Sequence, residues 1–108
     1  MQSDPAAKTD ITPGLKVLIE GKTYLARHGT VLGREGTIAK SYFERFSSIS
    51  RVHAKVSKTG GRWYITIPAA VANSTMLDGV EAKRDTPLPL MGTQVLKLSD
   101  ECIVHLQA

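Results

Sequence analysis

From Leu15 onward, apolar and polar positions alternate over short runs cut by turn residues, the period of β-strands and not of helices. "KVLIE" and "TYLAR" flank a "GK" pair, which predicts a tight hairpin because Gly21 adopts a positive φ freely. "TVLG" follows. In "RVHAKVS" the alternation sets Val52, Ala54 and Val56 on one face and Arg51, His53 and Lys55 on the other. "KTGG" turns the chain into "RWYITI", where Trp63, Ile65 and Ile67 share a face and Pro68 ends the run. "MLDGVE" holds Asp-Gly between apolar residues, the strongest short hairpin signal here. "TQVLKL" and "CIVHLQ", parted by "SDE", supply two more strands. Only "TIAKSYFERFSS" has room for a helical turn. The pattern predicts eight to eleven short strands at hairpin spacing, hence an all-β sandwich.

Three stretches fall outside it. Residues 1–13 are polar, carry Pro5 and Pro13 and lack periodicity, so they are expected to form a flexible segment ahead of a domain at 14–108. Residues 33–50 and 68–75 are long polar links between convincing strands. Each is separated from the other by one hairpin, so both are expected at the same end of the sandwich, where binding groups sit.

Composition narrows the function. The 108 residues suit one domain, and 42% hydrophobic with 22% charged residues is an ordinary globular balance. No apolar run approaches the roughly 20 residues that cross a bilayer, and "MQSDPAAKTD" lacks the basic start and apolar stretch of a secretion signal. A cytoplasmic protein, or a piece of one, is expected. Cys102 is the single cysteine, read as a buried structural thiol, which rules out an internal disulfide or a cysteine-based zinc site. His28, His53 and His105 have no metal-site spacing, so neither metal nor cofactor is predicted. The net charge of +4 favours acidic or phosphorylated partners, but the basic residues form no stripe and the aromatics are too few for a base-stacking platform. Neither nucleic acid nor membrane is expected as a partner.

"SSISRVH", residues 47–53, carries the candidate chemistry. Ser50 and His53 are three apart on an extended segment and so do not touch directly; there is no "GxSxG" elbow and no carboxylate to orient His53. Catalysis is not expected. His53 is read as a histidine bracing neighbouring loops. An anion site instead needs a guanidinium, a hydroxyl and backbone N–H groups. Arg34 stands at the mouth of the first long loop, Ser50 and Arg51 where it re-enters the sheet, and Asn73 and Ser74 in the second loop.

The ordered set "LGR", "SRVH", a β-hairpin and then "NSTMLDG" resembles the forkhead-associated (FHA) domain, over about residues 15–107. The ending "LPLMGTQVLKLSDECIVHLQ" is similar to that family's final strands. The resemblance implies an eleven-stranded antiparallel β-sandwich of the FHA/SMAD-like kind that binds phosphothreonine in partner proteins, for signal transduction, through loops at one end. By position it implies that Arg34 and Ser50 hold the phosphate and that Arg51 lies at the phosphopeptide surface. It further implies that Asn73 holds the peptide main chain and that His53 is architectural.

The chain departs from the family pattern after the hairpin. A Thr or Ser usually precedes the asparagine and a glycine follows it; here these are Ala72 and Ser74. The hydroxyl lost at Ala72 is expected to be supplied by Ser74 or Thr75, or else affinity is reduced. The acidic residue usual after the Trp63 strand is missing from "IPAAV", leaving that loop without its support. Tyr42, Phe43 and Phe46 are expected to pack locally. The alternative reading is a degenerate module of this fold that binds proteins without phosphate.

Overall fold

The computed structural model describes residues 14–108; the flexible segment expected at 1–13 lies outside them. Ten strands and one helical turn are present among the described residues, within the predicted range. In chain order they are β1 (Leu15–Ile19), β2 (Lys22–Ala26), β3 (Val31–Leu32), α1 (Lys40–Phe43), β4 (Ala54–Thr59) and β5 (Arg62–Thr66). These are followed by β6 (Met76–Leu77), β7 (Val80–Glu81), β8 (Leu88–Pro89), β9 (Thr93–Ser99) and β10 (Cys102–Gln107). They form a six-stranded sheet, ordered β2-β1-β10-β9-β6-β7, and a four-stranded sheet, ordered β3-β4-β5-β8. Every pairing is antiparallel.

Three two-residue turns set the hairpin registers. Glu20-Gly21, Gly60-Gly61 and Asp78-Gly79 all take positive φ at both positions, the form whose twist matches that of the flanking strands. The β1–β2 turn therefore falls one residue earlier than the "GK" reading placed it. Alternation delivers the core as the sequence reading predicts along β5 and just beyond: Trp63, Ile65 and Ile67 face inward. Leu15, Val17 and Ile19 from β1, Leu96 and Leu98 from β9, and Cys102, Val104 and Leu106 from β10 meet them from the other sheet. Cys102 is fully buried, and desolvation pushes its thiol up to about 11, so the sulfur packs as a small apolar group.

The alternation fails at one place, and the site depends on it. The alternation groups Val52 with Ala54 and Val56 and sets His53 on the other face. Instead β4 begins only at Ala54, the chain bends at residues 51–52, His53 is fully buried and Val52 is 36% exposed. The inversion follows from hydrogen bonding: His53 satisfies two polar groups inside, which Val52 cannot do.

The helical turn α1 belongs to a packed cluster. Phe43 is fully buried, and Tyr42 meets it and Phe46 edge-on, with ring centroids 5.3 and 5.2 Å away. Arg45 lies over Tyr42 and pairs with Glu20 of the β1–β2 turn, which ties the middle of the long loop to that hairpin.

Candidate functional site

The site begins with a glycine. A Cβ on Gly33 would stand 2.5 Å from the Arg51 carbonyl oxygen, 2.7 Å from that of Ser50 and 2.9 Å from the His53 nitrogen, and its φ is +151°. Only glycine lets the two ends of the loop lie this close. The closeness produces a short ladder: the Arg34 N–H donates to the Ser50 carbonyl (3.2 Å) and the Glu35 N–H to the Arg51 carbonyl (2.9 Å). Arg34 Nε–H donates to the Ile49 carbonyl. The guanidinium stem is thereby fixed beside Ser50, and its outer nitrogens bond no protein group among the described residues. Such a fork presents two parallel donors to an anion.

His53 holds the other side. Its Nδ1 accepts from the Ser50 N–H at 3.0 Å, so in the neutral ring Nε2 carries the proton and donates to Thr75 Oγ1 at 2.8 Å. The ring is thus a strut between the first long loop and the end of the second. Burial, with a smaller contribution from the Arg84 guanidinium, pulls its pKa down from 6.5 to about 4. With both ring nitrogens engaged, His53 offers Ser50 no base.

The two loops join at the same end. Asn73 Nδ2–H donates to the Ser48 carbonyl at 2.7 Å, and Val71, buried, anchors its loop from below. Two residues that the sequence reading passed over hold this loop. Arg84 donates from Nη2 to the Asn73 carbonyl at 3.0 Å. Asp85 accepts the Ala69 N–H on Oδ1 at 3.1 Å and donates its own N–H to the Ile67 carbonyl at 2.7 Å. A carboxylate thus supports this loop from a segment 16 residues further on. No local signal marks either contact.

Arg34, Ser50 and Arg51 line one cleft of about 640 Å³, together with Val52, Lys55, Pro68 and Ala70. Arg51 is exposed and 3.5 Å from the equally exposed Glu35 carboxylate, a pair too solvated to tie it down. Asn73 and Ser74 are exposed on the adjoining loop and do not line this cleft; Ser74 Oγ sits 3.4 Å from Glu81 Oε2. Thr75 is no substitute for the hydroxyl absent at Ala72. It is 2% exposed and its oxygen is committed to His53.

By sequence, the chain matches no family model and no curated protein. By structure it is similar to three FHA domains. An FHA domain of an Arabidopsis thaliana hypothetical protein is 22% identical with a TM-score of 0.66, over 89% of this chain and 84% of that one. The FHA-1 domain of Mycobacterium tuberculosis Rv1747 is 21% identical with a TM-score of 0.63, over 88% and 95%. The FHA domain of human APLF, solved in complex with an XRCC1 bisphospho peptide, is 20% identical with a TM-score of 0.63, over 88% and 98%.

Proposed function

The chain has the forkhead-associated fold, and from that premise we propose that it is a phosphothreonine-dependent protein-binding module acting in cytoplasmic signalling. One observation carries the reading: an arginine fork whose outer nitrogens have no partner among the described residues, held by backbone bonds beside Ser50 in an open cleft. A phosphothreonine carries about −1.5 to −2 charges and three strong acceptors at neutral pH. Arg34 and Ser50 bond the phosphate, Arg51 adds positive potential at its edge, and Asn73 and Ser74 meet the peptide from the second loop. A phosphopeptide as ligand class is supported by the APLF domain, which has this fold and was solved with one. Each charge-assisted hydrogen bond contributes roughly 1.5–3 kcal/mol. After the cost of ordering the peptide, micromolar affinity, about −8 kcal/mol, is expected. The residues act by binding and not by catalysis.

Ala72 favours one alternative, a degenerate module that docks proteins without phosphate, because neither it nor the buried Thr75 offers a hydroxyl from that loop. Fluorescence anisotropy with matched phosphothreonine, phosphoserine and unmodified peptides, plus a single-stranded DNA control, separates the readings. Binding of the phosphothreonine peptide at least about tenfold tighter than the unmodified one is expected, a difference of roughly 1.4 kcal/mol. Equal affinity for both supports the degenerate module, and tighter binding of DNA overturns both.

A further inference from the structure

We infer that the ligand carries an aliphatic residue and a carboxylate on one side of its phosphothreonine, and that Lys55 reads the carboxylate. This rests on the phosphothreonine reading of the site and adds the class of sequence it selects.

The cleft that holds Arg34, Ser50 and Arg51 extends past them onto a shelf of different chemistry. Val52, Pro68 and Ala70 make its apolar surface, and Lys55 makes its charged one. Val52 is there because His53 took the inward position, so an aliphatic side chain that the strand pattern would bury is offered to solvent. Lys55 is outward because Ala54 and Val56, its neighbours on β4, are the buried pair. Its side chain is exposed and pairs with no carboxylate among the described residues. A lysine without a partner beside a strip of apolar surface complements an acidic residue following or preceding an aliphatic one.

A neighbouring cleft has the contrary character. A second cleft of about 400 Å³ also borders Arg34 and Arg51, but it is lined by Glu35, Glu44 and Lys40. Lys40 is already paired with Glu44 there, and Glu35 faces Arg51. An incoming carboxylate meets two carboxylates in that cleft and, on the shelf, an ammonium with no carboxylate partner among the described residues. The site is therefore asymmetric along the peptide, and the asymmetry selects acidic flanks on the shelf side alone.

Anisotropy titrations test this with phosphothreonine peptides that place Leu-Asp, Leu-Asn or Leu-Lys after the phosphothreonine, and with the reversed set placed before it. In one of the two placements the Asp peptide binds about fivefold tighter than the Asn peptide, the scale of one favourable surface pair. In Lys55→Glu the order inverts, so that the Lys peptide binds best. The charge-matched variant Lys22→Glu, outside the cleft, keeps the parent order. Binding of all phosphopeptides alike, or the same order in Lys55→Glu as in the parent, overturns the inference while leaving the phosphothreonine reading intact. No binding of any phosphopeptide overturns the phosphothreonine reading itself, and the inference falls with it.

Discussion

Arg34→Ala is expected to weaken phosphothreonine peptide binding by about 30-fold or more, roughly 2 kcal/mol, while the domain remains folded. The size follows from what is removed. The side chain makes a single bond to protein among the described residues, from Nε to the Ile49 carbonyl, so its outer nitrogens are available to a ligand. Losing a charge-assisted fork to a dianion removes one or two bonds of about 1.5–3 kcal/mol each. Losing the Nε bond at a partly exposed loop costs stability about 1 kcal/mol. Affinity therefore falls far more than stability. Arg34→Lys keeps the charge without the fork and is expected to fall between the parent and alanine. Calorimetry showing unchanged affinity in Arg34→Ala would remove this residue from the site.

His53→Ala behaves in the opposite way. It strips a fully buried ring and leaves the Ser50 N–H and the Thr75 hydroxyl without their partner. A cavity plus two unmet polar groups costs about 3 kcal/mol or more, which lowers the melting temperature by roughly 10–20 °C in a domain this size. Acidification reproduces part of the effect in the parent. The unfolded chain takes up a proton near 6.5, whereas the folded one resists until about 4 because the buried ring is neutral. The unfolded state thus binds more protons across that window. The histidine's contribution is whole above 6.5 and is lost as the pH falls to about 4, about 3 kcal/mol in all. Denaturant titrations across the window check this, since His53→Ala lacks that slope. A variant that melts like the parent yet no longer binds would show His53 to be a ligand contact and not a strut.

The two predictions separate gripping from bracing, and the sequence carried these halves unequally. Glu20-Gly21, Gly60-Gly61 and Asp78-Gly79 act through two-residue turn chemistry, so the hairpins were legible from local composition. Trp63, Ile65 and Ile67 were legible because alternation along a half-buried strand is local too. That His53 braces the loops was legible, but its exchange with Val52 was hidden, since that depends on Thr75, which lies 22 residues away. The support of the Asn73 loop was hidden for the same reason. Arg84 and Asp85 reach it from a segment with no periodicity or motif of its own. Lys55 reads in the sequence as any outward strand residue, and only the fold sets it in one cleft with Pro68 and Ala70.

We propose that the 33–36, 48–53 and 72–75 segments form one phosphate-reading surface. A two-dimensional amide NMR titration with a phosphothreonine peptide tests it most directly. Shift changes centred on Arg34, Ser50, Arg51, Asn73 and Ser74 are expected, with none on addition of the unmodified peptide. Changes centred on the outer face of the six-stranded sheet, or equal changes with the unmodified peptide, would contradict it.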